Sequence, residues 1–183
     1  MREIEIKVQL NDSNEAIKKL SAAGVELSSV KEQHDVVYCL PADKAKENDP
    51  NVNWLRIRTE NKTTAYFTLK RSVSGSLDSI EHETSVADAG ELEAMLHYIG
   101  YVVFSDLVKI RRTGHIGDIE LCLDEVPPLG GFIELEKLCD ESADGAMVEK
   151  ELMSTLDSLG IAYGERMTKG YDELMNEHLA RMR

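Results

Sequence analysis

The chain has 183 residues, 42% of them hydrophobic and 30% charged, the composition of an ordinary folded domain with a sizeable core. A formal net charge of −13 argues against nucleic acid or an anionic membrane as a partner, since both need a positive field. No apolar run approaches the roughly 20 residues that span a bilayer, and strand patterning begins at once after Met1, so the expected location is the cytoplasm. The cysteines Cys39, Cys122 and Cys139 are far apart, odd in number and form no Cys-x-x-Cys pair. That disfavours a disulfide framework or a structural zinc site and points to buried thiols.

Residues 2–10 (REIEIKVQL) alternate charge and hydrophobe, the period of a strand with two unlike faces. Asp12 followed by Glu15 opens a helix carrying Ala16, Leu20 and Ala23 and closed by Gly24. Residues 25–40 read as a strand and 41–51 (PADKAKENDPN) as a surface loop. Strands are predicted over 52–59 and 63–71 around a Glu60-Asn61-Lys62 turn, and over 77–85. A helix over 88–99 ends at Gly100. Strands over 101–113 and 117–126 are expected to join around Gly114. A corner at Pro127-Pro128-Leu129-Gly130-Gly131 then leads into a strand over 132–138. Helices over 144–159, ending at Gly160, and over 170–182 complete the chain. The segments KKLSAAGVEL, MLHYIGYVVF and STLDSLGIAY echo one another, which either marks related halves or reflects glycine ending each helix.

Side chains at i and i+2 of a strand share a face. Glu3, Glu5 and Lys7 therefore stand opposite Ile4, Ile6 and Val8, and Arg56 and Arg58 opposite Leu55 and Ile57. Lys70 opposes Leu69, Glu81 pairs with Glu83, and Lys109 and Arg111 oppose Val108 and Ile110. Asp118, Glu120 and Asp124 oppose Ile119, Leu121 and Leu123; Glu134 and Glu136 oppose Ile133 and Leu135. A one-sided solvated sheet would give a similar alternation. Like charges stacked at i and i+2, and helices enough to cover an apolar outside, favour a sheet closed with its polar face inward. Buried charges need partners, so such a lining implies a charged ligand. Cations would neutralise phosphates, and carboxylates would hold Mg²⁺ or Mn²⁺.

Glu3-Ile4-Glu5-Ile6-Lys7 resembles the ExExK signature of the CYTH, or triphosphate tunnel metalloenzyme, superfamily. The resemblance continues in order through Arg56-Ile57-Arg58, Leu69-Lys70, Glu81-His82-Glu83, Lys109-Ile110-Arg111, Leu123-Asp124 and Phe132-Ile133-Glu134-Leu135-Glu136. It covers nearly the whole chain, so residues 1–183 read as one CYTH-like domain. It implies an α+β fold built on a closed eight-stranded antiparallel β-barrel with helices packed outside. It also implies metal-site carboxylates at Glu3, Glu5, Glu134 and Glu136, with Glu83 a further candidate, Asp124 either orienting a cation or contributing to the metal site, and phosphate contacts from Lys7, Arg56, Arg58, Lys70, Lys109 and Arg111. Gln33-His34-Asp35-x-x-Tyr38 is similar to another family segment, with structural packing an equal explanation. Lys169-Gly170-Tyr171-Asp172-Glu173-Leu174 resembles a Ser-Tyr-x-x-Leu segment in which glycine replaces serine, leaving the roles of Lys169 and Tyr171 open.

The Leu-Gly-x-Phe-x-Glu-x-Glu segment and the chain length resemble the class IV adenylyl cyclase branch. The first expectation is therefore conversion of ATP to cyclic AMP and pyrophosphate, with Glu5, Lys7, Glu134 and Glu136 catalytic. Hydrolysis of an inorganic or organic triphosphate is the alternative, in which the attacking water is metal-bound or activated by Lys7 as base, its pKa depressed by the crowding of other cations. A non-catalytic nucleotide-binding module is the third. The five histidines are scattered without metal-ligand spacing, and Trp54 reads as a core anchor that could also stack on a base. Met167, Met175 and Met182 read as packing or a homodimer contact.

Overall fold

The computed structural model describes residues 2–46 and 49–182. Among the described residues, nine strands and four α-helices follow in order: β1 (Arg2–Leu10), α1 (Ser13–Ala22), β2 (Lys31–Cys39), β3 (Trp54–Glu60), β4 (Thr64–Gly75), β5 (Asp78–Val86), α2 (Ala89–Tyr98), β6 (Val102–Ile116), β7 (Ile119–Val126), β8 (Gly130–Cys139), α3 (Gly145–Ser158), β9 (Tyr163–Met167) and α4 (Tyr171–Arg181). A single 3-10 turn, Pro41–Asp43, follows β2. Among the described residues, no helix is long and apolar enough to cross a membrane.

The sheet runs β5-β4-β3-β2-β6-β7-β8-β1, every neighbouring pair antiparallel, and β5 returns to β1 to close an eight-stranded barrel. One edge of β1 pairs along its length with β8. The other is shared, with Arg2, Glu3 and Ile4 opposite β5 and Lys7, Val8 and Leu10 opposite β9. The β1–β5 seam is therefore only three pairs long, and a buried charge pair reinforces it. Arg2 donates to both Asp78 oxygens at 2.7 and 2.8 Å and to the carbonyls of Glu141 and Ala143. Breaking a buried, hydrogen-bonded ion pair from one side typically costs about 3–5 kcal/mol. Arg2→Ala is thus expected to lower stability by about 3 kcal/mol in urea unfolding, an effect that lysine at the same position would only partly restore.

The apolar faces point outward. Ile4, Ile6 and Val8 join Leu121, Ile133 and Leu135 beneath Leu20 of α1 and Leu152 and Leu156 of α3, all fully buried. On the far side Tyr38, Leu55 and Ile57 pack under Leu96 of α2. Because the helices take the hydrophobic face, the alternate positions of every strand must look into the barrel.

Local chemistry accounts for the helix ends. Asp12 accepts from the backbone N–H of Asn14 and Glu15 to start α1. The echoing segments are explained by termination, since Gly24, Gly100 and Gly160 all have positive φ at helix ends. Two boundaries differ from expectation. The break expected at Gly114 lies instead at Gly117-Asp118, and β6 runs straight through Gly114. Residues 25–30, expected in strand, form an arm outside it that donates Ser28 N–H to the Thr113 carbonyl. A Cβ at Gly114 would lie 2.9 Å from Val25 Cγ1 and 3.1 Å from the Glu26 carbonyl oxygen, so glycine here permits that crossing and makes no turn. Strand β9 carries no alternation to announce it, because its middle residues Gly164, Glu165 and Arg166 are exposed.

Candidate functional site

The barrel encloses a cavity of about 490 Å³. Of the strand-face charges read from the i, i+2 pattern, all but Asp118 and Asp124 line it. Asp118 lies in the turn before β7 and pairs outside with Lys137 at 3.2 Å. Asp124 is fully buried behind the lining.

Register assembles the acidic sector. The β1–β8 ladder sets Glu5 opposite Glu136 and Lys7 opposite Glu134. Carboxylate oxygens of Glu5, Glu134 and Glu136 all fall within 4.8 Å of one another. Three hard oxygen donors at that spacing fit Mg²⁺ or Mn²⁺. Glu136 is driven well above the usual carboxylate range by burial, then by Glu134, Glu3 and Glu5, against the opposing pull of Arg111. Glu134 goes the other way: burial opposes its charge, but Lys7, Arg111 and Lys109 hold it well below the ordinary value. Glu3 is pushed up to about 7 by burial and by the neighbouring Glu81. Glu136 and Glu3 thus resist ionisation, a cost that a divalent cation beside them would relieve. A second group, Glu120, Cys122 and Glu136, meets the same spacing, but burial raises the Cys122 thiol and a soft ligand suits a hard cation poorly.

Glu3 and Glu83 stand outside the close trio. Glu83 is exposed, accepts from Thr68 Oγ1 at 2.8 Å and lies 3.5 Å from Arg56. Asp124 serves the cations: it accepts from Arg111 Nε and Nη2 at 2.7 and 2.5 Å and from Lys109 at 3.4 Å. Arg111 also reaches Glu134 and comes within 3.5 Å of Glu136, bridging the buried aspartate to the acidic trio.

The remaining cations ring the cavity. Arg58 is held in a two-pronged pair by Asp35 at 2.7 and 2.8 Å. Arg56 donates to Thr68 at 3.2 Å, and Lys70 pairs with Glu81 at 2.9 Å. Burial alone would raise Glu81, but Lys70 and Arg56 outweigh it and take it down to about 2. A carboxylate lowered on folding stabilises fully above its unfolded value of 4.5, and that gain disappears as pH falls toward 2. Glu81→Gln is therefore expected to show a shallower loss of stability between pH 4.5 and 2 than the parent, followed by urea midpoints.

Lys7 reverses one expectation. Burial would lower its pKa, but Glu134 at 3.1 Å and Glu5 at 3.5 Å raise it, so its ammonium stays charged. The depressed lysine is Lys109, lowered by burial and by the adjacent Arg111, with Asp124 only partly opposing.

Two segments whose roles the sequence left open also line the cavity. Asp35 and Gln33 do so from β2, on one face at i, i+2 spacing within the Gln33-His34-Asp35-x-x-Tyr38 segment, which reads equally well as packing from sequence alone. Tyr171, Asp172 and Glu173 enter it from the start of α4. Tyr171 is buried, with Lys7 Nζ 4.1 Å and Lys109 Nζ 4.9 Å from its ring centre. Lys169 sends its side chain to Glu177, while its carbonyl accepts from Lys7 at 3.2 Å. A Cβ at Gly170 would meet Asp172 Oδ1 at 2.3 Å, so the aspartate occupies the space a serine would take. Trp54 is a buried anchor stacked edgewise on Phe104 at 4.8 Å, bordering the cavity. Met175 is buried and Met182 exposed.

Known proteins resemble this chain in sequence and in fold. A protein of Methanocaldococcus jannaschii, provisionally named an adenylate cyclase, is 29% identical over 176 residues, 95% of this chain and 98% of its own. The PH1819 protein of Pyrococcus horikoshii is 25% identical and superposes with a TM-score of 0.80 over 96% of this chain and 99% of its own. A more distant fold relative from Hippeastrum, 16% identical with a TM-score of 0.58 over 88% and 89% of the two chains, is described as an adenylyl cyclase candidate with a dominant triphosphatase activity. The model of the CYTH domain matches residues 1–171. By that match across almost its full length, the chain belongs to the CYTH domain family.

Proposed function

We propose that this protein is a metal-dependent enzyme that grips a triphosphate inside its barrel and converts ATP to cyclic AMP and pyrophosphate. The observation that carries the reading is the close Glu5, Glu134 and Glu136 trio sharing one cavity with Lys7, Arg56, Arg58, Lys70, Lys109 and Arg111. Glu5, Glu134 and Glu136 would hold Mg²⁺ or Mn²⁺, with Glu3 near enough to share their charge. Such an ion supplies a lowered pKa for the attacking hydroxyl and neutralises phosphate charge.

The protein's own groups do the rest. Arg56, Arg58 and Arg111 present planar donor forks to phosphate oxygens, held in place by Thr68, Asp35 and Asp124. Lys7 and Lys109 add point charges where pyrophosphate leaves. In cyclisation the ribose 3′-oxygen bonds to the α-phosphorus, the α–β bridging bond breaks, and the hydroxyl proton departs to base or solvent. The name carried by the Methanocaldococcus jannaschii relative supports this branch over others.

Hydrolysis of a triphosphate is the second reading, favoured by Lys109, whose lowered pKa suits it to take a proton from water. Product analysis separates them, using ATP and tripolyphosphate in turn, with Mg²⁺ and with Mn²⁺. Cyclic AMP plus pyrophosphate supports the cyclase. Orthophosphate from tripolyphosphate with ATP left uncyclised supports the triphosphatase. Tight binding of either compound without turnover would leave only a binding module.

A further inference from the structure

We propose that Tyr171 is a positioning residue that sets where the Lys7 and Lys109 ammonium groups stand in the tunnel. This rests on the triphosphate-gripping reading above and deepens it.

The strands place the backbone of these lysines but not their charges. A lysine stem has four rotatable bonds, and a flexible ammonium grips phosphate well only when something outside the strand holds its tip. Lys109 has Asp124, though at a long 3.4 Å. Lys7 has Glu134 and Glu5. Those two carboxylates are also metal-site candidates, and oxygens committed to a divalent cation hold an ammonium less firmly. What remains for Lys7 comes from the C-terminal segment, namely the Lys169 carbonyl at 3.2 Å and the Tyr171 ring at 4.1 Å.

The ring suits the task. An aromatic face attracts cations, most strongly where water is excluded, and both ammonium groups here are buried. One ring within 5 Å of both lets two like charges sit close together with a shared negative surface. The ring is itself fixed. It stacks edgewise on Phe132 at 5.2 Å and packs with Leu107, Val126 and Met175. Helix α4 is anchored by Ser76 bonding Glu173 and by Asn176 donating to the Phe104 carbonyl at 3.1 Å.

The test compares the parent protein with Tyr171→Phe and Tyr171→Leu. Tripolyphosphate binding is measured by calorimetry in EDTA, and KM and kcat are measured with Mg²⁺. Phenylalanine keeps the ring and should bind within about twofold of the parent. Leucine keeps apolar bulk but no ring, and should weaken metal-free binding about tenfold, raising KM more than it lowers kcat. A folded leucine variant that binds like the parent overturns the proposal while leaving the proposed function standing. A parent protein that binds no tripolyphosphate overturns both. Should the leucine variant unfold, NMR of the parent decides instead. The ε-protons of Lys7 should carry an upfield ring-current shift that persists at saturating tripolyphosphate, and loss of that shift on binding would refute the role.

Discussion

Glu134→Gln is expected to reduce kcat/KM by at least about a hundredfold, whichever triphosphate proves to be the substrate. Glu134 is where the acidic and cationic sectors meet: it pairs with Lys7, bonds Arg111 and stands in the trio with Glu5 and Glu136. The amide keeps its shape and removes the charge, so a divalent cation loses one anionic ligand. Lys7 retains Glu5, and Arg111 retains Asp124 and Glu136, so thermal unfolding should show a folded barrel. The Mg²⁺ concentration for half-maximal rate should rise together with the fall in kcat/KM. A variant with unchanged metal dependence and unchanged rate would remove Glu134 from the chemistry and, with it, the argument for the trio.

Asp124→Asn is expected to do the opposite, costing about 3–5 kcal/mol of stability with little change in the metal requirement of the protein that remains folded. Asp124 has no exposed surface and does not border the cavity, and it is the principal counter-charge of Arg111 and Lys109. Asparagine leaves a buried guanidinium facing a neutral amide. Denaturant midpoints measure the loss, and Mg²⁺ titration of activity measures the rest. Parent-like stability together with a raised Mg²⁺ requirement would make Asp124 a metal ligand after all.

These two residues show what strand periodicity conveys and where it stops. Both lie on the charged face of their strands, and spacing alone treats them as equals. Which one borders the cavity depends on the closure of the barrel, which leaves Glu134 on the lining and Asp124 bonded beneath Arg111. Lys7 and Lys109 make the same point in electrostatics. Crowding by cations looked like grounds for a depressed Lys7, but Glu134 across the β1–β8 ladder and Glu5 two residues back on β1 keep it charged, and the lysine beside Arg111 is the lowered one. Gly114 looked like a turn because glycine ends strands, yet it serves a crossing arm 88 positions away at Glu26.

The sequence by itself determined the inward charge and the outward hydrophobe, because alternation with a period of two is a local property of each strand and needs no partner. It also determined where most helices stop, since a positive φ at Gly24, Gly100 or Gly160 is a local backbone matter. Only the tertiary structure decided which charges touch, how the three-pair seam between β1 and β5 closes the barrel, and that Tyr171 enters the cavity from the far end of the chain. Those outcomes depend on register and on packing between segments from 11 residues apart, as for Lys70 and Glu81, to 164 apart, as for Lys7 and Tyr171, and no local pattern carries that information.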